Sequence, residues 1–84
     1  MSLPLITVYS RPGCHLCEKL IENLLPLIRD RAKLEVLNID SRADWTAEYG
    51  SLIPLVELNG RALCHYHLDR GAVVAALDGM GTSL

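Results

Sequence analysis

The chain contains no phenylalanine and only four aromatic residues, Tyr9, Trp45, Tyr49 and Tyr66. Its core must therefore be assembled from Leu, Ile, Val and Ala. An excess of charge of one sign is also lacking: eight Lys and Arg stand against ten Asp and Glu, a net charge of −2. That balance argues against a dedicated nucleic-acid or anionic-membrane surface and leaves neutral or mixed partners. Long apolar runs are missing too. The longest, Ala72 to Leu77, has six residues, against about 20 needed to span a bilayer. A secretory leader is not legible either, because the first cation is Arg11 and the opening apolar stretch is interrupted by Pro4, Thr7 and Ser10. A cytoplasmic location is expected. The three cysteines do not pair off evenly, which suits a reactive thiol pair in a reducing compartment better than a secreted disulfide framework.

What is present reads as one α/β domain over residues 1–84, since 84 residues are too few for two independent cores. Leu5 to Tyr9 is β-branched and aromatic and stops at Ser10-Arg11-Pro12-Gly13, so it predicts a first strand and a turn. From Cys14, the apolar positions Cys17, Leu20, Ile21, Leu24, Leu25 and Ile28 recur with helical spacing, predicting a helix from about Cys14 to Arg31. Pro26 falls inside it and predicts a kink or short break a few residues earlier. Leu34 to Ile39 has the length of a buried strand. Strand, helix and strand together make a right-handed βαβ unit with parallel strands. Ser41 and Asp44 have the spacing of a capping box for a short helix, Arg42 to Tyr49, with Gly50 as a left-handed stop. Pro54 to Leu58 and Arg61 to His65 flank Asn59-Gly60, the signature of a two-residue type I′ hairpin. Counting back from that turn sets Cys64 opposite Leu55. Asp69 is placed to cap a last helix, Arg70 to Leu77, stopped near Gly79 with a frayed end beyond it.

Cys14-His15-Leu16-Cys17 sits where the first strand turns into the first helix. A thiolate at that position meets unpaired backbone N–H groups and the positive end of the helix dipole, both of which favour the anion. Cys14 is then the attacking group, and Cys17, one turn later on the same face, can resolve a mixed disulfide at Cys14. A C-x-x-C also occurs as half of a zinc site or as a pair of inert core cysteines. A zinc site of the usual type needs four ligands, and the rest of the chain offers only Cys64, His65 and His67, with no second C-x-x-C. Context favours dithiol chemistry. His65 and His67 alternate onto one strand face and read as solvated, and Trp45, Tyr49 and Tyr66 read as packing residues.

Ser-Arg-Pro-Gly-Cys-His-Leu-Cys after a first strand, followed later by Leu-Ile-Pro opening a hairpin strand, resembles the glutaredoxins and glutaredoxin-like members of the thioredoxin superfamily, over roughly Leu5 to Leu77. The resemblance implies a thioredoxin-like α/β fold: a four-stranded mixed sheet in the order 2-1-3-4 with helices on both faces. It implies a thiol–disulfide oxidoreductase with no bound cofactor, a cis peptide at Ile53–Pro54, and a substrate groove shaped by those two residues. Arg11, three before the first cysteine, stands where glutaredoxins often carry a cation that steadies the thiolate or a substrate carboxylate. His15 replaces the proline of the common Cys-Pro-Tyr-Cys, and a charged imidazole beside the thiolate raises the reduction potential. The chain departs from the pattern at Leu52-Ile53-Pro54, where Thr-Val-Pro is usual, and at Cys64 to Asp69, where a Gly-Gly and Asp pattern holds glutathione. Asp69 is its one acidic candidate, and its reading as the N-cap of the last helix takes precedence. The expected partners are a disulfide-containing protein or low-molecular-weight thiol and a recycling reductase, acting on a monomer, with glutathione a candidate reductant. Two alternatives stand beside this reading: glutathione-dependent monothiol chemistry at Cys14, and a non-enzymatic module whose dithiol holds a zinc or iron–sulfur centre between two chains.

Overall fold

The computed structural model describes residues 3–81, with the backbone alone described for 80 and 81. Its elements are β1 (Leu5–Ser10), α1 (His15–Ile28), β2 (Lys33–Asn38), a 3-10 turn (Ile39–Ser41), α2 (Ala43–Tyr49), β3 (Leu55–Leu58), β4 (Arg61–His65) and α3 (Arg70–Gly81). The strands form one sheet in the order β2-β1-β3-β4. β2 runs parallel to β1, while β3 is antiparallel to both β1 and β4. This is the thioredoxin-like arrangement, with the expected strand order.

The alternation of β1 explains how two layers of helix attach. Ile6, Val8 and Ser10 point to one face and are buried. There Ile6 and Val8 meet Leu20, Leu24 and Ile28 of α1, Val73 and Leu77 of α3, and Val56 and Leu58 of β3 in a single core. Tyr9 points to the other face, where its ring stacks on Tyr49 at 4.2 Å and meets Trp45 edge-on at 5.8 Å. α2 is thereby fixed to the sheet face opposite α1 and α3. Cys17, at 0% exposure, is the sulfur member of an otherwise aliphatic buried set. Among the described residues no helix is long and apolar enough to cross a membrane.

Several local expectations are corrected. α1 ends at Ile28 rather than Arg31, and it runs through Pro26 without a break. Pro26 costs one hydrogen bond in the final turn, where only two more helical residues follow. The chain then leaves through Asp30 at φ 63, with the N–H groups of Arg31 and Ala32 both donating to the Ile28 carbonyl. Leu25, counted on the apolar stripe, is turned outward at 48% exposure. β2 stops at Asn38, because Asn38 accepts the Asp40 N–H on its side-chain oxygen and starts the 3-10 turn at Ile39. The Ser41 and Asp44 capping box does not form: Ser41 Oγ donates to the Asn38 carbonyl, and Arg42 is the N-cap residue of α2. Gly50 ends α2 in right-handed geometry, φ −55, and an added Cβ there would lie 2.5 Å from the Thr46 carbonyl oxygen. Close approach, not a left-handed angle, explains that glycine. α3 continues through Gly79 to Gly81; of the end expected to fray, residues 82–84 lie outside the described residues. Asp69 does cap it, accepting the Ala72 N–H at 3.0 Å.

The hairpin forms as the Asn-Gly pair requires, with Asn59 at φ 49 and Gly60 at φ 87 and Leu58 facing Arg61. Its register is corrected one step further on. A bulge leaves Leu63 as an extra residue, so Cys64 pairs with Val56 and His65 takes the place opposite Leu55.

Candidate functional site

The directions of the four strands bring together the end of β1, the end of β2, the start of β3 and the end of β4. The dithiol turn after β1, the cis proline before β3 and the histidines at the end of β4 all lie at this end. The hairpin lies at the other, where a cavity of about 800 Å³ is lined by Leu58, Arg61, Leu63 and Ala76. That cavity includes neither Cys14 nor Cys17 and belongs to the edge of β4 and the face of α3.

Residues Arg11 to Cys14 form a tight turn in which the Cys14 N–H donates to the Arg11 carbonyl at 3.2 Å. Pro12 suits its second position, and Gly13 adopts φ 80 at the third, as a type II turn requires. The turn delivers Cys14 to the N-cap of α1 in extended geometry, with φ −85 and ψ 100. Its Sγ accepts the Cys17 N–H at 3.1 Å, taking the place an Asp or Ser oxygen would occupy at an ordinary N-cap. Cys14 and Cys17 are disulfide-bonded, with Cα atoms 5.2 Å apart. The two sulfurs are not equivalent: Cys14 is half-buried and Cys17 fully buried. The arrangement supports redox chemistry with one accessible and one enclosed sulfur.

The remaining site candidates are distributed around this pair. Pro54 is buried, follows a cis bond from half-buried Ile53, and directly precedes the Leu55–Tyr9 pair of the sheet. Extending that register by one residue sets Pro54 beside Ser10 and the turn that carries the dithiol. Arg11 turns its guanidinium toward the 3-10 turn, where Nε donates to both carboxylate oxygens of Asp40 at 3.0 and 3.2 Å. His15 projects into solvent with its side chain 95% exposed and Nδ1 3.7 Å from Glu18. Its nearest charged partner is thus a carboxylate on the next turn. Cys64 is half-buried against the core, and burial pushes its thiol pKa up while the Asp69 N–H pulls it back. His65 and His67 are exposed, and among the described residues no group of three or more His, Cys, Asp or Glu side chains is arranged to hold a metal ion.

Two residues of this region make contacts that the sequence reading did not assign: Asp40 had no role there, and Tyr66 was read only as a packing residue. Asp40 holds Arg11, and the only local signal was the Asn38-Ile39-Asp40 pattern, in which Asn38 caps the Asp40 N–H at 2.9 Å. Tyr66 is the other. It sits at φ 66, its N–H donates to the Pro54 carbonyl at 2.9 Å, and its hydroxyl donates to the Ser51 carbonyl. It ties the end of β4 to the segment that carries the cis proline. On the far side of the sheet, burial first, then hydrogen bonding to Tyr49 and the charge of Glu57, push the Tyr9 phenol up to about 12. Burial likewise pushes Glu57 up, against the hydrogen bond from Tyr9.

Comparison with known proteins agrees with this geometry. The family described as Glutaredoxin-like domain (DUF836) matches residues 5–78. Among solved structures, a structural-genomics target protein, XcR50, from X. campestris is 31% identical, covers 88% of this chain and 96% of its own, and superposes with a TM-score of 0.67. A protein of unknown function from Staphylococcus aureus, SA0789, covers 100% of this chain and 96% of its own with a TM-score of 0.74, but at 12% identity it speaks for the fold alone. No curated protein gives a significant match. A match over 74 residues that begins with β1 and runs through the dithiol and the cis proline into α3 means that the chain belongs to the glutaredoxin-like domain family (DUF836).

Proposed function

We propose that the protein is a thiol–disulfide oxidoreductase that uses Cys14 and Cys17 on a protein or low-molecular-weight disulfide. The observation that carries this reading is the asymmetry of the pair: Cys14 Sγ stands at the helix N-cap and accepts the Cys17 N–H, while Cys17 is enclosed in the core. In the reducing direction, the Cys14 thiolate attacks one sulfur of the substrate disulfide, forming a mixed disulfide and expelling the other sulfur as a thiolate that takes up a proton. Cys17 then loses its proton and attacks Cys14 Sγ, closing the intramolecular disulfide and releasing the second substrate thiol. Two electrons pass from the dithiol to the substrate. The cycle closes when an external reductase or thiol reduces the Cys14–Cys17 bond by the same two steps in reverse.

Ile53 and Pro54 flank the site of attack as one wall of the substrate groove, and Arg11 and His15 contribute charge at its rim. Glutathione is a weak reductant in this reading, because Tyr66 and His67 stand in the region of the glycines that accommodate it in glutaredoxins, and Asp69 is engaged as the α3 cap.

Trapping tests the order of attack. Cys17→Ser should accumulate a mixed disulfide at Cys14 with a disulfide-bearing peptide, and Cys14→Ser should accumulate none; equal trapping by both variants would remove the dithiol mechanism. The reduction potential then gives direction: a value near about −270 mV marks a reductase, and one above about −200 mV marks an oxidant or sensor.

A further inference from the structure

β2 is an edge strand, paired with β1 alone in the order β2-β1-β3-β4. The Lys33 N–H donates to the Pro4 carbonyl, beside β1, at 2.8 Å. By alternation the N–H and carbonyl of Leu34 face the other side, where no described strand lies. α1 overhangs this edge, and the two enclose a groove of about 420 Å³ lined by Leu25, Pro26, Ala32 and Leu34 and by the charged Glu22 and Arg29. Leu25, and Val36 two residues beyond Leu34, are 48% and 47% exposed, so the apolar surface continues along the strand.

The charges along this edge are ordered. Glu22, Leu25, Pro26 and Arg29 follow at i, i+3, i+4 and i+7, a stripe with an acid at one end and a base at the other. Lys33 and Glu35 flank Leu34 and point to the opposite face of the sheet. Among the described residues none of these four charged side chains forms an ion pair. Of the charges nearby, Arg31 is bound to Asp78 and Glu18 lies beside His15, while Lys19 and Asp30, one of each sign, stand outside the groove lining. The edge is therefore neither basic nor acidic. Its pattern is complementary to itself after a half-turn, which is what an isologous contact requires.

We propose that this edge docks a second copy of the chain about a two-fold axis through Leu34, in place of the monomer expected from the sequence. β2 then runs antiparallel to the partner's β2, and each Leu34 N–H donates to the Leu34 carbonyl across the axis. On one face of the joined sheet Lys33 stands opposite the partner's Glu35, and Glu35 opposite the partner's Lys33. On the other face the two α1 helices lie antiparallel, Leu25 and Pro26 meet their counterparts, and Glu22 faces the partner's Arg29. Other registers forfeit this match. An axis through Glu35 sets the two Glu35 carboxylates against each other, and one through Val36 leaves Lys33 with no carboxylate opposite. Leu34 lies near the start of β2, away from the dithiol end, so the pairing leaves both dithiols open at opposite ends of the dimer.

Sedimentation velocity over a concentration series tests the pairing. Wild type should pass from monomer to dimer as concentration rises, and a monomer throughout overturns the proposal. Lys33→Glu and Glu35→Lys should each weaken self-association by at least about tenfold, because each sets like charges across the axis. An equimolar mixture of these two variants should recover the dimer, since in the mixed pair every introduced charge meets its opposite. Dimers unaffected by either variant, or a mixture no more associated than its components, overturn the proposal. Circular dichroism checks the fold of each variant. Glu22→Arg and Arg29→Glu, mixed in the same way, repeat the test on the helix face with the same two outcomes, so a fold lost in one pair of variants leaves the other to decide.

Discussion

Arg11 Nε donates to both carboxylate oxygens of Asp40, at 3.0 and 3.2 Å, across 29 residues of sequence. The pair joins the turn before Cys14 to the turn after β2, and the Arg11 carbonyl in turn accepts the Cys14 N–H. Both side chains are well exposed, at 39% and 47%, so the pair should contribute below about 1 kcal/mol to stability. Its electrical effect is more informative. The Arg11 guanidinium is half of a neutral pair, and Asp40→Asn leaves it a bare cation next to the turn that carries Cys14. The pH midpoint of Cys14 alkylation should fall in Asp40→Asn, because an added nearby positive charge favours the thiolate. An unchanged midpoint in a variant of unchanged stability would place the guanidinium out of electrical reach of the thiolate.

Alkylation order follows from burial and position. In the reduced protein, limited iodoacetamide should label Cys14 first, because it is half-buried and faces the N-terminus of α1. Cys17, at 0% exposure, and Cys64, whose thiol is pushed up by burial, should lag. Peptide mapping by mass spectrometry reads the order directly, and labelling of Cys17 ahead of Cys14 would reverse their roles.

Cys64→Ala should leave disulfide exchange at its wild-type rate. The bulge at Leu63 pairs Cys64 with Val56, on the side of the sheet that packs against the core. The expected cost is the loss of a half-buried sulfur, about 1 kcal/mol in urea unfolding. A folded variant with lost exchange activity would move Cys64 into the site.

Tyr9 gives a pH signature. Its phenol is raised from 10.0 to about 12 in the folded chain, first by burial and then by its contacts with Tyr49 and Glu57. The folded state therefore holds this proton more tightly than the unfolded state. The stabilisation is fully present below pH 10 and is lost as pH rises from 10 to 12. Tyr9→Phe lacks this ionisation, so its urea midpoint should decline less steeply than that of wild type over the same interval. Parallel declines would contradict the raised value.

How much of this was legible in advance depends on the range of the interaction concerned. Leu5 to Tyr9, the 3.6-residue stripe of Leu20, Leu24 and Ile28, and Asn59-Gly60 are local patterns whose chemistry admits one geometry each, and all three formed as read. Cys14 at the first helix start is of the same kind, since a turn made by Pro12 and Gly13 leaves the next residue at the N-cap. Asp69 also capped α3 as its position suggested. The glutaredoxin-like family, too, was legible from the dithiol and Leu52-Ile53-Pro54.

What the sequence alone did not determine was set by contacts between distant segments. Nothing near Arg11 announces Asp40, because that pair exists only when parallel pairing brings the ends of β1 and β2 to the same edge. The position of Cys64 depended on one bulge, since a single extra residue at Leu63 shifts every partner beyond it. Gly50 is a local exception: read as a left-handed stop, it stays right-handed at the end of α2, close against the Thr46 carbonyl four residues back. Local backbone chemistry thus determined where the cysteines stand on their helix, and the packing of the sheet decided which charges and apolar surfaces surround them.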